Sequence, residues 1–187
     1  YTSSTGVYGQ NDGSLVDETS PTEPPTDTSR VLVQTEQVFL AAAREQKLPA
    51  IVVRVAGIYG PGRSYFLRQL LAGEARIEGE GRRTLNMIHR DDVVGGIIAA
   101  LERGRAGEIY NVVDDEPVAQ RDFFAWLAAK LNRPLPSSVP EVADTLRKRG
   151  VTNKRISNRK LKMELGYRFK YENFRKGYTA EIQRLGL

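Results

Sequence analysis

The sequence predicts an α/β fold organised on a parallel sheet, and three observations carry that prediction. The run Pro49-Ala-Ile-Val-Val-Arg-Val-Ala-Gly-Ile-Tyr59 is almost continuously apolar and β-branched, the pattern of a strand buried on both faces. Strand-like and helix-like segments alternate along the chain, as parallel crossovers require. The first nine residues set a cluster of hydroxyls, Thr2 to Thr5, ahead of Gly6-Val7-Tyr8-Gly9. Thr, Val and Tyr favour extended backbone, so this reads as a strand end delivering hydroxyls to the crevice where open α/β sheets bind ligands.

In order along the chain, residues 10–27 are rich in Asn, Asp, Gly, Ser, Thr and Pro and form a loop. A helix follows from Thr26–Ser29 to about Gln46, with Val38, Phe39, Ala42 and Ala43 at helical spacing. The buried strand over 49–59 ends in Gly60-Pro61-Gly62-Arg63, a sharp turn, and a short helix spans Tyr65–Ala72. Residues 75–90 are extended, with a bend at Gly79 and Gly81. Asp91 and Asp92 are expected to cap a helix over Val93–Glu102, where carboxylates favour the positive end of the helix dipole. Glu108–Val113 is another strand, and Gln120–Leu131 a helix whose Phe123, Phe124, Leu127 and Leu131 make one apolar stripe that includes Trp126 in the core. A proline-rich connector over Pro134–Pro140 leads to helices over Glu141–Arg149, Asn158–Leu165 and Asn173–Leu185.

Composition narrows the function classes. With 40% hydrophobic and 27% charged residues, the chain is an ordinary globular sequence. It contains no apolar run long enough to cross a membrane as a helix. No cysteine is present, which removes disulfides and thiolate metal sites and fits a cytoplasmic setting. A single histidine, His89, cannot found an imidazole-rich metal site, so no metal is expected. The net charge of +5 is uneven: residues 1–27 carry Asp12, Asp17, Glu18, Glu23 and Asp27 and no base, while residues 147–176 are dense in Lys and Arg. Those cations interleave with apolar helix positions, so they read as a solvated face, and nucleic-acid binding is disfavoured.

Four motifs stand in order: Ser3-Ser4-Thr5-Gly6-Val7-Tyr8-Gly9, Arg54-Val55-Ala56-Gly57-Ile58-Tyr59-Gly60-Pro61-Gly62, Ile88-His89-Arg90-Asp91-Asp92-Val93, and Gly107-Glu108-Ile109-Tyr110-Asn111-Val112. Ser157-Asn158-Arg159-Lys160-Leu161 and Leu165-Gly166-Tyr167 follow. The series resembles the second half of the extended short-chain dehydrogenase/reductases, the NAD-dependent epimerase/dehydratase family. The resemblance implies the C-terminal part of a Rossmann-type, doubly wound parallel sheet with a smaller, mainly helical substrate lobe. It implies that residues 1–60 and 107–132 belong to the dinucleotide-binding domain and 61–106 and 133–187 to the substrate lobe. In the family a Gly-rich phosphate loop and four strands precede the Ser-Ser motif. The chain is therefore expected to be a C-terminal portion, poorly stable alone, with Ile51–Val55 exposing a sheet edge.

The resemblance also assigns residues. NAD or NADP is the implied cofactor, with Ser3, Ser4, Ala56, Gly57 and Ile58 beside it and Ser4, four residues before Tyr8, polarising a substrate oxygen. Tyr8, Arg63, Arg83, Asn86 and Arg155 are the implied substrate contacts. The expected partner is a small, sugar-like or phosphorylated molecule, with a homodimer left open. Where the family places a Tyr-x-x-x-Lys pair for proton transfer, the chain departs from it. No tyrosine lies between Tyr8 and Tyr59, and the first lysine is Lys47; Thr28 and Leu32 occupy the expected positions. Arg30 cannot replace the lysine as a proton carrier, because a guanidinium stays protonated. Leu85 stands where nucleotide-sugar enzymes of the family carry a diphosphate-gripping arginine. The pattern is that of atypical members, leaving open an enzyme without the usual proton-transfer pair or a non-catalytic cofactor-binding sensor or scaffold. His89 and Asn111 are expected to fix a helix start and a strand end.

Overall fold

A computed structural model describes residues 1–140 and 152–187; the helix expected over Glu141–Arg149 lies outside the described residues. The first half contains strands β1 (Thr2–Ser4) and β2 (Leu15–Val16), helix α1 (Asp27–Gln46), strands β3 (Val52–Val55) and β4 (Gly57–Tyr59) and helix α2 (Tyr65–Leu71). It continues with β5 (Ile77–Glu78), β6 (Thr84–Leu85), β7 (Met87–His89) and α3 (Arg90–Arg103). Then come β8 (Ile109–Val112), β9 (Val118–Ala119), α4 (Gln120–Lys130), β10 (Ser138–Val139), β11 (Arg155–Ile156), α5 (Arg159–Leu165) and α6 (Phe174–Leu185).

The main sheet is parallel, in the order β1-β3-β8, with Ser4 opposite Val55 and Val55 opposite Val112. Val52 to Val55 are all buried, as the continuous β-branched run requires. This strand is paired on both sides, so the expectation that Ile51–Val55 exposes an edge is corrected. The run 49–59 is also not one strand. At Ala56 the chain leaves the main sheet, and β4 pairs in parallel with β7, Gly57 opposite Met87 and Tyr59 opposite His89. An unbroken apolar run cannot signal this change of partner, because both strands are buried.

Local chemistry sets the helix ends. Thr26 and Ser29 form a reciprocal capping box: Thr26 Oγ1 accepts from Ser29 N at 3.2 Å and Ser29 Oγ accepts from Thr26 N at 3.1 Å. Lys47 closes α1 in the left-handed region at φ 56°. Helix α3 starts three residues earlier than expected. Its cap is His89, whose Nδ1 accepts from Asp91 N at 3.1 Å, while Asp91 and Asp92 lie inside the first turn. Asp92 is fully buried and accepts from Tyr167 OH at 2.8 Å, Lys170 N at 2.7 Å and Tyr171 N at 2.9 Å, so it pins the C-terminal segment rather than capping.

Two cores divide the side chains. One gathers Val7, Tyr8, Val53, Val55, Ile88, Tyr110, Val112, Leu161 and Leu165 around the main sheet. The other gathers Tyr59, Leu67, Ile77, Phe123, Phe124, Leu127, Phe174, Tyr178 and Ile182, with half-buried Trp126 against it. Helix α4 thus packs with α2 and α6, and α5 with the main sheet. Short two-residue ladders pair β2 with β11, β5 with β10 and β6 with β9; the first and last join the expected dinucleotide-binding and substrate segments, and the second lies within the substrate segments.

Candidate functional site

The carboxyl ends of β1 and β3 lie side by side as one strand-end edge, Ser3 opposite Arg54 and Ser4 opposite Val55. Of the other expected cofactor-side residues, Ala56 follows β3 directly, and Gly57 and Ile58 lie in β4, paired with β7. Ala56 is buried, Ile58 half-buried and Gly57 exposed. Gly57 N donates to Asn86 O at 3.0 Å, and a Cβ there would stand 3.1 Å from that oxygen, so a side chain would crowd the edge. Ser4 Oγ accepts from Gly6 N at 3.0 Å, capping a single turn of 3-10 helix over Thr5–Val7. That bond uses a lone pair of the hydroxyl and leaves its O–H able to donate. The Ser3 hydroxyl is buried without a hydrogen-bond partner.

Beneath this edge lies a closed polar network. Arg54 is 4% exposed and makes a bidentate pair with Glu36, which is 2% exposed; Nη2 lies 2.7 Å from Glu36 Oε2 and Nε 3.1 Å from Oε1. Arg54 Nη1 donates to Tyr8 OH at 2.8 Å, and Tyr8 OH donates to Asn111 Oδ1 at 2.9 Å. Asn111 N donates to Glu18 Oε1 at 2.7 Å, tying the β8 end to the loop after Tyr8. Burial raises the Tyr8 phenol's pKa, opposed by the Arg54 charge. For Arg54 burial is the largest single influence and works against the charge, but the hydrogen bonds and charges of Glu36 and Tyr8 together outweigh it and the pKa rises. Tyr8, expected at the substrate, is fully buried here, and its hydroxyl both accepts from Arg54 and donates to Asn111. The pair was detectable in sequence, since an arginine inside a buried strand demands a carboxylate. Glu36 shares the α1 face of Ser29, Leu32 and Val33.

Asn86, expected at the substrate, acts here as a peptide mimic. Its Nδ2 donates to Lys154 O at 2.8 Å and its Oδ1 accepts from Ile156 N at 2.8 Å, clamping β11 beside the Gly57 turn. Arg155, also expected at the substrate, is exposed; its Nε donates to Gly13 O at 3.1 Å. It lines a cavity of about 340 Å³ with Asp114, Asp115, Ser157 and Asn158. Arg63 is exposed after the Gly60–Gly62 turn, and Arg83 is half-buried, its carbonyl accepting from Gln120 N at 2.9 Å. Neither is joined to Ser4 by a described contact.

One residue escaped the sequence reading. Lys154, within the run read as a solvated face, is 4% exposed, and its Nζ donates to Tyr8 O and Thr152 Oγ1, both at 2.6 Å. Burial alone pulls its pKa down to about 8. Two other buried groups have structural surroundings. The His89 ring lies against Tyr171, centroids 4.0 Å apart and planes tilted by 47°, and burial lowers its pKa, in keeping with a neutral ring that caps α3. Asp114 Oδ1 accepts from Glu116 N at 3.1 Å, and burial holds its carboxyl well above the usual range.

A sequence model of the NAD dependent epimerase/dehydratase family matches residues 1–113, the stretch that carries the strand ends, the capped α3 and β8. The chain belongs to this family. Protein YeeZ of Escherichia coli is 32% identical to it over 174 residues, 91% of this chain and 57% of YeeZ. The structure of a functionally unknown conserved protein from Silicibacter pomeroyi superposes with a TM-score of 0.87 at 38% identity, covering 98% of this chain and 65% of that one. A dTDP-glucose 4,6-dehydratase from Streptomyces venezuelae, solved with NAD bound, gives a TM-score of 0.83 at 26% identity over 98% of this chain and 58% of its own. The α/β fold is therefore that of Rossmann-type epimerase/dehydratases, and the chain spans less than two thirds of these relatives. No helix of the described residues is long and apolar enough to cross a membrane.

Proposed function

We propose that this chain forms part of an NAD(P)-binding epimerase/dehydratase-type protein whose substrate is a sugar-like or phosphorylated small molecule. The observation that carries the proposal is the strand-end edge, where Ser4 ends β1 opposite Val55 and the chain runs on from β3 through the exposed Gly57 backbone and the half-buried Ile58. These residues fit one side of a dinucleotide: a hydroxyl able to donate, a glycine that lets a flat ring approach, and an unpartnered Ser3 oxygen close behind. The cofactor would supply hydride chemistry; this chain's part is to hold its nicotinamide end and orient a substrate oxygen toward Ser4. The expected segments of the substrate lobe, 61–106 and 133–187, contribute Asn86 and Arg155, the first as a scaffold and the second as an exposed cation. The test is equilibrium binding of NAD and NADP to the natural protein, followed by turnover. Binding of either supports the reading, and binding of neither ends it.

A second reading, a cofactor-dependent sensor or scaffold, is favoured by α1, whose twenty residues include no tyrosine and no lysine. Ser4→Ala separates the two: an enzyme loses turnover while a sensor keeps NAD(P) binding and has no turnover to lose.

A further inference from the structure

A buried ammonium needs a counter-charge or it loses its proton, because desolvation penalises the charged form. Lys154 Nζ has two neutral acceptors, the Tyr8 carbonyl and the Thr152 hydroxyl, and among the described residues no carboxylate pairs with it. An ammonium has three N–H donors, so one is uncommitted among the described contacts. Its position is specific. Its carbonyl is held by Asn86, whose own carbonyl holds Gly57 N at the crevice, and its Nζ holds the strand-end segment that carries Ser4. Two ionisable side chains of its own contacts and chain neighbours face elsewhere. The Tyr8 phenol is turned to Arg54 and Asn111, and the Arg155 side chain runs to Gly13 O.

We propose that Lys154 is a ligand-charge determinant of the crevice: its buried ammonium pairs with an anionic oxygen, carboxylate or phosphate, on the bound small molecule. The inference rests on the site proposed above for its location. It names what that reading leaves open, a ligand that brings one negative charge to the Tyr8–Lys154 corner and completes an ion pair that the described residues leave half made.

The experiment follows the Lys154 amine by NMR in the natural protein with carbon-13-labelled lysine, the resonance assigned by its loss in Lys154→Met. The titration midpoint is read in chloride, acetate and inorganic phosphate at equal ionic strength. An upward shift of about one pH unit in acetate or in phosphate relative to chloride is expected, since an opposite charge in contact favours the protonated form. A shift in acetate alone marks a carboxylate ligand and a shift in phosphate alone a phosphorylated one. Anion binding should weaken by about tenfold or more in Lys154→Met and stay within about threefold in Lys154→Arg, which keeps the charge. If Lys154→Met does not fold, Lys154→Arg still assigns the resonance. An unchanged midpoint in both anions, or unweakened anion binding by a folded Lys154→Met, overturns the proposal. NAD(P) binding measured on the same preparation keeps the two readings apart: its absence rejects the proposed function while the Lys154 midpoint still decides the charge.

Discussion

Arg54 and Lys154 are both 4% exposed, and both donate to Tyr8, Arg54 to its hydroxyl at 2.8 Å and Lys154 to its carbonyl at 2.6 Å. Their surroundings differ in one respect. Arg54 is met by the buried Glu36 carboxylate, and its pKa rises; Lys154 is met by neutral oxygens, and its pKa falls to about 8. The first arrangement is complete and holds β3, α1 and the strand-end tyrosine together. The second has no carboxylate among the described residues and holds the carbonyl of the strand-end tyrosine. A satisfied buried charge is architecture, whereas an unsatisfied one beside a crevice points outward to a ligand.

The sharpest way to break this contrast is to make Arg54 resemble Lys154. Glu36→Leu leaves a buried guanidinium without its carboxylate and should cost about 3–5 kcal/mol in urea unfolding of the natural protein. A loss below about 1 kcal/mol would mean that the pair is solvated and the two cations are alike. The next effect is the pH dependence of Lys154. Its folded pKa of about 8 lies below the unfolded 10.5, so the unfolded state binds more protons between those values and stability rises with pH across that window. Relative to Lys154→Met, the wild-type protein should gain up to about 3 kcal/mol between pH 7 and pH 10.5. A flat difference would show that the amine is not desolvated. Tyr8→Phe removes the hydroxyl that links Arg54 to Asn111 and should cost about 1–3 kcal/mol by thermal unfolding without changing the Lys154 midpoint, because the carbonyl remains. The smallest effect is expected for Asn86→Ala, about 1 kcal/mol from the two lost backbone bonds. It should also move the Lys154 midpoint upward as β11 loosens and water enters; an unmoved midpoint would uncouple Asn86 from the lysine.

What could be read from the sequence follows from range. The β-branched run over 49–59, the Asp-rich start of α3 and the apolar stripe of α4 are local signals, and each element forms within a few residues of its expected place. The break at Ala56 was hidden because the residues on both sides of it are apolar, whichever strand they join. The pairing of Leu15–Val16 with Arg155–Ile156 joins two stretches that read as loop and charged helix, and no local pattern encodes such a contact. Charge was the least legible property. Lys154 looked like one cation in a solvated run, because sequence shows which groups ionise but not which of them lose water. Motif order singled out Ser4 and Gly57; the role of Asn86 as a clamp on β11 was not visible, since it depends on two backbone partners at the far end of the chain.

The central claim, that the described residues supply a counter-charge to Arg54 and none to Lys154, is tested most directly by the titration midpoint of the Lys154 amine in the ligand-free protein. A midpoint near 8 is predicted. A midpoint at or above the ordinary lysine value of about 10.4 would contradict it, because the ammonium would then be solvated or already paired.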